Sequence, residues 1–271
     1  MADDPRSKDV LLKEDEVAAA WNRNAECWAA DVEAGVDTFR DHYTLPAFLD
    51  FMPPLDGCRV LDLGCGEGTN TRRFARLGGR LTGIDLSEVL IARAQAAEAR
   101  DPLGVDYRVC SYSRMDGFAD GSFDVALSTM ALMDGPDIAA AMREAYRVLV
   151  SGGRLCFSVL HPCFMTRDFG WLRTADGQYA ALKVGRYFDR SPFVERWSFG
   201  GQAEAAADQR FEVPRFPRTL SDYVTAVCAA GFRIAAIDEP RPDAAAAREH
   251  PQLARWREHA PLVLFVSASK S

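Results

Sequence analysis

The chain has 271 residues, of which 48% are apolar and 26% are charged, and its formal net charge is −7. This composition is typical of a globular protein with a large core. The negative charge disfavours a duplex nucleic acid as partner, because the phosphate backbone attracts basic surfaces. No run of 18 apolar residues is present to span a membrane, and the polar N-terminal stretch lacks the apolar core of a secretory signal. We therefore expect a cytoplasmic protein without a nucleic-acid or membrane partner.

The seven cysteines show no C-x-x-C pair and no zinc-like spacing. Most of them lie in apolar runs or beside glycine, which is typical of buried, reduced thiols. We therefore predict no metal site from them.

The N-terminal part of the chain predicts helices. Residues 10–35 are rich in Ala, Leu and Glu, and Trp21 and Trp28 lie seven residues apart, on one helical face. A second short helix, 44–52, ends at Pro53. We interpret residues 1–54 as a helical cap.

Short apolar strands then alternate with helices, which predicts an α/β fold with a doubly wound, mostly parallel sheet and helices on both faces. Ser87 is the predicted N-cap of the helix 87–100, and Thr219 or Ser221 that of the helix 219–232. A further helix, 136–150, is predicted to end at Ser151-Gly152-Gly153. The predicted core comprises 55–160 and 219–271. Its predicted strands are 58–63, 80–85, 105–110, 122–129, 154–160, 232–238 and 261–269.

The alternation is interrupted by residues 161–218, which carry many aromatic side chains among charges. The stretch YFDRSPFVERWSF (187–199) predicts a β-hairpin. An insertion of this length after a sheet strand indicates a lid or substrate-binding subdomain. The alternative is a structural insertion that packs on its own small core.

Residues 60–70, VLDLGCGEGTN, form a glycine-rich turn between a strand and a helix. Ligands of open α/β sheets lie outside the carboxyl ends of the strands, and this first turn is the usual site. The spacing G-x-G-x-G differs from the dinucleotide pattern G-x-G-x-x-G, and Asp62 would repel a pyrophosphate. Asp85, at the end of the next strand, is suited to accept both ribose hydroxyls of an adenosine. These features favour an adenosine with an amino-acid tail and no phosphates.

The stretch from VLDLGCGEGTN through GIDLSEVLIARAQ resembles the core of class I S-adenosylmethionine-dependent methyltransferases, in particular the small-molecule, methyltransferase type 11-like group. The resemblance continues through DGSFDVALSTMALMD (120–134) and covers roughly 55–160 and the last strands. It implies a Rossmann-like seven-stranded fold, S-adenosylmethionine as cofactor and methyl transfer as activity.

The resemblance also implies residue roles. Family members often carry an acid after the third strand, where this chain has Ser111 or Tyr112 instead. The implied cofactor-binding residues are Asp62, Gly64, Cys65, Gly66, Gly68, Asn70, Asp85, Leu86, Ser111, Tyr112, Thr129 and Met130.

Candidates for catalysis are His161, just past the fifth strand, and Tyr43, in DHYTLP before the core. A histidine has a suitable pKa for a general base, although each residue also has a purely structural interpretation. No N-P-P-Y motif follows the fourth strand, and the aromatic insertion suits a flat, small acceptor. The candidate acceptor-binding residues are Trp28, His42, Met133, His161, Trp171, Tyr187 and Trp197.

The favoured function at this point is methylation of a small aromatic or heterocyclic acceptor of bacterial secondary metabolism. A tRNA or protein methyltransferase, a non-catalytic S-adenosylmethionine-binding protein and an NAD-dependent oxidoreductase remain as alternatives, the last disfavoured by the glycine spacing. The methylated atom, the need for a base and the choice between monomer and homodimer stay open.

Overall fold

The computed structural model describes residues 13–199 and 211–271. Residues 1–12 of the predicted cap and 200–210 of the predicted insertion lie outside this range. The helices are α1 (Glu14–Glu33), a π-helix (Arg40–Thr44), α2 (Leu45–Phe51), α3 (Thr69–Arg76), α4 (Glu88–Arg100), a 3-10 helix (Leu132–Asp134), α5 (Ile138–Val148), α6 (Leu220–Ala229), α7 (Ala244–Glu249) and α8 (Pro251–His259). The strands are β1 (Arg59–Leu63), β2 (Arg80–Asp85), β3 (Asp106–Val109), β4 (Phe123–Thr129), β5 (Leu149–Leu160), β6 (Asp168–Arg173), β7 (Tyr179–Gly185), β8 (Phe193–Trp197), β9 (Phe211–Arg215), β10 (Phe232–Asp238) and β11 (Val263–Lys270).

The central sheet has seven strands in the order β10-β11-β5-β4-β1-β2-β3. Strands β5, β4, β1, β2 and β3 run parallel, and β11 is antiparallel to both of its neighbours. This arrangement confirms the predicted fold. The chain leaves β1 toward β2 on one side and returns to β4 on the other, so a crevice opens at the carboxyl ends of these strands.

Apolar side chains alternate between two layers, one on each face of the sheet. Val125 and Leu127 pack in one layer and Ala126 in the other, and all three are almost fully buried. Burial of a Val or Leu side chain contributes roughly 1.5–3 kcal/mol. Because these strands are covered on both faces, their sequences are nearly continuous apolar runs.

The predicted caps of α4 and α6 are confirmed. The Ser87 hydroxyl accepts a hydrogen bond from the backbone N–H of Leu90, and that of Thr219 accepts one from Asp222. The predicted end of α5 is wrong. This helix ends at Val148, and Ser151-Gly152-Gly153 lie inside β5 in a bulge, where Phe123 pairs with Leu149 but Val125 pairs with Arg154.

The insertion forms two separate pairs of antiparallel strands, β6 with β7 and β8 with β9. The hairpin predicted within 187–199 is wrong, because this stretch contributes only β8, which pairs with β9 from beyond residue 210. Helix α1 packs on this second pair, where the Asn24 side-chain amide donates to the Glu212 carbonyl oxygen at 2.9 Å. In the two described parts of the chain, no helix is both long and apolar enough to cross a membrane.

Candidate functional site

The geometry of the turn after β1 explains why it contains glycines. A side chain at Gly64 would collide with Ala131, and the backbone there has φ +76°. Gly66 also has a positive φ, +57°, but a Cβ at this position would meet nothing within 4 Å. Gly64 therefore allows close packing of the protein on itself, whereas Gly66 faces open space that a ligand can fill.

That open space is a cavity of about 520 Å³ at the carboxyl ends of β1, β2 and β4. It extends from the glycine turn to the insertion and to α8. Thirteen of the residues predicted to bind the cofactor or acceptor line it: Trp28, Gly64, Cys65, Gly66, Asn70, Asp85, Leu86, Tyr112, Thr129, Met130, Met133, Trp171 and Trp197.

Asp85 lies at the end of β2 and holds the glycine turn. Its carboxylate accepts a hydrogen bond from the backbone N–H of Gly66 at 3.0 Å and another from Ser87 at 2.8 Å. Burial raises the pKa of this carboxyl to about 6, while the two N–H donors act in the opposite direction. The carboxylate therefore lies at the cavity wall in a fixed orientation.

Two unpaired oxygens lie close to the turn. The Asn70 amide nitrogen donates to the Thr129 hydroxyl at 3.0 Å, but its Oδ1 is buried and has no hydrogen-bond partner in the described part of the chain. Asp62 lies beneath the turn and outside the cavity lining, with one oxygen accepting from the Thr71 hydroxyl at 2.6 Å and the other without a partner among the described residues. Burial raises the pKa of Asp62 to about 7. An unpaired acceptor on Asn70 suits a ligand that carries an N–H donor.

Met130 is held in an unusual backbone conformation at the end of β4. Its φ is +56°, which is uncommon for a residue other than glycine. The Met130 N–H donates to the carbonyl and hydroxyl oxygens of Ser158, at 3.0 and 3.1 Å. Backbone strain of this kind is often found at functional sites, and Thr129 and Met130 both line the cavity.

Helix α1 covers the cofactor end of the cavity. The Trp28 indole N–H donates to the Glu67 carboxylate at 2.8 Å, and the Ser87 hydroxyl donates to the Asn22 side-chain oxygen at 2.7 Å. Glu67, which also lines the cavity, was not among the predicted site residues, whereas Trp21, predicted on the same helical face as Trp28, lines the cavity with it. Glu67 had a local signal, because it stands between the last two glycines of the turn.

The far end of the cavity is aromatic. Trp171 and Trp256 meet edge to face with ring centroids 4.9 Å apart, and Trp197 meets Phe199 in the same way at 5.3 Å. Arg215, also in the lining, is paired with the buried carboxylate of Asp134 and with Glu195. Trp256 and Arg255, also in the lining, come from a segment without a local sequence signal, whereas Phe199 and Arg215 belong to the predicted insertion.

His161 is not part of the cavity lining. The residue is 1% exposed, its Nε2–H donates to the Glu239 carboxylate at 2.6 Å, and its Nδ1 accepts from the Cys163 N–H at 3.2 Å. Burial lowers the pKa of this imidazole. Both ring nitrogens are engaged, so the side chain ties the end of β5 to the segment after β10.

Besides Asp62 and His161, five predicted site residues lie outside the cavity lining. The Tyr43 hydroxyl donates to the Pro240 carbonyl at 2.6 Å, and the His42 ring stacks 4.1 Å from that of His250. Tyr187 accepts from the Leu220 N–H at 3.0 Å and lines a neighbouring pocket of about 60 Å³. The Ser111 hydroxyl donates to Glu14 at 2.8 Å, and Gly68 is the N-cap of α3 beneath Tyr107.

Comparison with known proteins identifies the family. A family model described as a methyltransferase domain matches residues 61–157. A crystal structure of an S-adenosylmethionine-dependent methyltransferase from Mesorhizobium loti is 30% identical, covers 83% of this chain and 96% of its own, and superposes with a TM-score of 0.69. This chain belongs to the class I S-adenosylmethionine-dependent methyltransferases.

Two further similarities agree with membership of this methyltransferase family. A Listeria monocytogenes structure, described as a putative S-adenosylmethionine-dependent methyltransferase, is 27% identical over 84% of this chain and 96% of its own, with a TM-score of 0.67. A protein named ubiquinone biosynthesis O-methyltransferase, from Xanthomonas oryzae pv. oryzae, is 37% identical over 123 residues. That match covers 44% of this chain and 52% of the relative, so this methyltransferase aligns with about half of the length of its curated relative.

S-adenosylmethionine is the cofactor of the family, and the cavity of this methyltransferase fits it. Gly66 leaves room that a Cβ would fill, and the unpaired Asn70 oxygen suits the ammonium group of the amino-acid tail. The Asp85 carboxylate suits hydroxyl donors such as those of a ribose.

Proposed function

We propose that this protein transfers a methyl group from S-adenosylmethionine to a small aromatic or heterocyclic acceptor. The observation that carries the proposal is one continuous cavity that joins Gly66 and Asp85 to the aromatic wall of Trp171, Trp197 and Trp256. A cavity of about 520 Å³ has the size of a small-molecule site. Assignment of the acceptor to bacterial secondary metabolism rests on the sequence resemblance alone.

At the cofactor end, Asp85 holds the ribose and Leu86 contacts the adenine. The turn at Gly64 and Gly66, together with Asn70, holds the amino-acid tail. When bound there, the cofactor would supply an electrophilic methyl group for transfer to the acceptor. Trp28 and Glu67 close this end and keep water out.

At the acceptor end, the aromatic side chains align the substrate. Flat rings pack well on Trp171, Trp197 and Trp256, because such contacts bury much apolar area at little cost in conformational entropy. Held in this way, the acceptor atom approaches the methyl group in one orientation, which is the main requirement of a displacement reaction. Met130 and Met133 also line the cavity.

Proton removal is assigned to carboxylates rather than to His161. No histidine is present among the described residues that line the cavity, whereas Asp134 and Glu195 both line it. Burial raises the pKa of Asp134 to about 6, against the opposing charge of Arg215, so this carboxyl can accept a proton near neutral pH. An acceptor that is already deprotonated requires neither group.

The relatives named ubiquinone biosynthesis O-methyltransferase support oxygen as the methylated atom. A tRNA or protein acceptor is the less favoured alternative, because aromatic rings suited to a small, flat acceptor line the far end of this cavity. The second alternative is a non-catalytic protein that binds S-adenosylmethionine. Observed turnover would exclude it.

The first test is calorimetric titration with S-adenosylhomocysteine, with NADH as the control ligand. We expect micromolar affinity for the former and none for NADH. Asp85→Ala should lower the affinity about 100-fold, because two hydrogen bonds to a charged group and the support of the turn are lost together. Binding of NADH, or equal affinity of the Asp85 variant, would contradict the proposal. Methyl transfer from radiolabelled cofactor to a panel of phenols and aromatic amines then tests turnover.

A further inference from the structure

Three arginines line the cavity among the described residues: Arg40, Arg215 and Arg255. Arg40 forms a two-pronged ion pair with Asp41, at 3.0 and 3.2 Å. Arg215 is paired with Asp134 and Glu195. Arg255 has no carboxylate partner within the described part of the chain, so its charge at the cavity wall is uncompensated.

The surroundings of Arg255 leave hydrogen-bonding capacity free. One terminal nitrogen of the guanidinium donates to the Tyr179 hydroxyl at 2.7 Å. The Nε is buried and has no hydrogen-bond partner among the described residues. The guanidinium carbon lies 5.4 Å from the ring centroid of Trp171 and 5.0 Å from that of Tyr179. These rings orient the group without neutralising it.

A second unpaired donor lines the same cavity. The Trp197 indole N–H is buried and has no partner in the described residues. The unpaired group at the cofactor end, Asn70 Oδ1, is instead an acceptor. Arg255 and Trp197 thus carry buried, unpaired donors, whereas Asn70 carries a buried, unpaired acceptor, among the described residues.

We infer that Arg255 binds an anionic group of the acceptor, and that the acceptor is an aromatic carboxylate. The inference rests on the proposed function, since it assigns the aromatic end to the acceptor. A planar guanidinium matches a carboxylate in a forked geometry. A buried N–H and an unpaired charge are costly, and a carboxylate compensates both. Trp171, beside the guanidinium, and Trp256, which packs against Trp171, pack on the ring that carries the carboxylate.

The test compares two ligands of the same shape, indole-3-acetate and indole-3-acetamide, which differ in charge. Each is titrated calorimetrically into protein saturated with S-adenosylhomocysteine. We expect the carboxylate to bind roughly ten- to a hundredfold more tightly than the amide, the range of a charge-assisted hydrogen bond. Arg255→Gln should remove this preference, and Arg255→Lys should keep part of it.

Arg248→Gln is the matched control, because it removes one exposed positive charge from the neighbouring helix α7. It should leave the preference for the carboxylate unchanged. If Arg255→Gln does not fold, the wild-type comparison and Arg255→Lys decide the question.

The outcomes separate this inference from the proposed function. Equal binding of the two indoles, unaffected by Arg255→Gln, overturns the inference and leaves the proposed function in place. Binding of S-adenosylhomocysteine with no binding of either indole overturns the aromatic acceptor site and the inference together. Failure to bind S-adenosylhomocysteine overturns the proposed function at the first step.

Discussion

The Trp28 indole N–H donates a hydrogen bond to the Glu67 carboxylate at 2.8 Å, and this contact joins helix α1 to the glycine turn. The two residues are 39 positions apart in the chain. Trp28 also packs against Phe199 of the insertion, with ring centroids 4.7 Å apart. One side chain thus connects the N-terminal helix, the cofactor turn and the acceptor wall.

Removal of this hydrogen bond should weaken cofactor binding. Trp28→Phe keeps an aromatic ring but loses the N–H, so Glu67 is left without its partner. We expect the affinity for S-adenosylhomocysteine to fall by roughly five- to tenfold, equivalent to about 1 kcal/mol. Glu26→Gln, which affects an exposed acid of α1 paired with Arg93, is the control in the same calorimetric titration. Unaltered affinity of Trp28→Phe would mean that α1 does not contribute to the cofactor site.

The glycines of the turn should respond differently to alanine. Gly64→Ala places a methyl group against Ala131, so the free energy of unfolding should fall sharply. In Gly66→Ala the added methyl group meets open space, so the free energy of unfolding falls only by the cost of a left-handed backbone, about 1–2 kcal/mol. We expect Gly66→Ala to fold and to lose S-adenosylhomocysteine affinity by tenfold or more, because its methyl group occupies the ligand's space.

Gly57→Ala is the control for backbone strain in that experiment. Gly57 has φ +71° and a similarly open surrounding, but it lies before β1 and outside the cavity lining. It should share the small loss of stability measured by urea denaturation and keep full affinity. Equal affinities of the Gly57 and Gly66 variants would contradict the proposed position of the cofactor.

Asp62 should make stability depend on pH. Its pKa is raised by burial to about 7 in the folded protein, against 3.8 for the free side chain. The folded state therefore binds the proton more tightly, so this group lowers the free energy of unfolding as pH rises between about 4 and 7. Relative to wild type, Asp62→Asn should be more stable at pH 8 than at pH 5. Urea denaturation without ligand measures the difference, and Asp50→Asn, an exposed acid of α2, controls for loss of one charge. A stability difference that is the same at both pH values would refute a buried, protonated Asp62.

His161 should act on stability rather than on cofactor binding. His161→Ala removes the hydrogen bonds to Glu239 and to the Cys163 N–H and leaves a buried void. We expect the free energy of unfolding to fall by about 1–3 kcal/mol, with S-adenosylhomocysteine affinity unchanged. Glu239→Gln retains a hydrogen-bonding side chain and should cost less. A variant of full stability, or one that loses cofactor affinity, would argue against this structural role.

Local sequence patterns were sufficient to predict much of the fold and the cofactor end of the site. The apolar strands alternating with helices, the Ser87 and Thr219 caps and the glycine turn all depend on residues within a few positions of one another. These features could be predicted from the sequence, because local backbone geometry and hydrogen bonding determine them. The position of Asp85 beside the turn was predictable in the same way, because parallel strands end at one edge of the sheet.

The acceptor end was decided by tertiary structure. Strand β8 pairs with β9 rather than with its own neighbouring residues, and Arg255 reaches Tyr179, 76 positions earlier in the chain. His161 was correctly placed at the end of β5, but its ring turns to Glu239, 78 positions away, rather than into the cavity. The sequence determined which side chains arrive at the edge of the sheet. Packing among distant segments decided which of them face the cavity, because a buried polar group takes the partner that the folded chain brings within hydrogen-bonding distance.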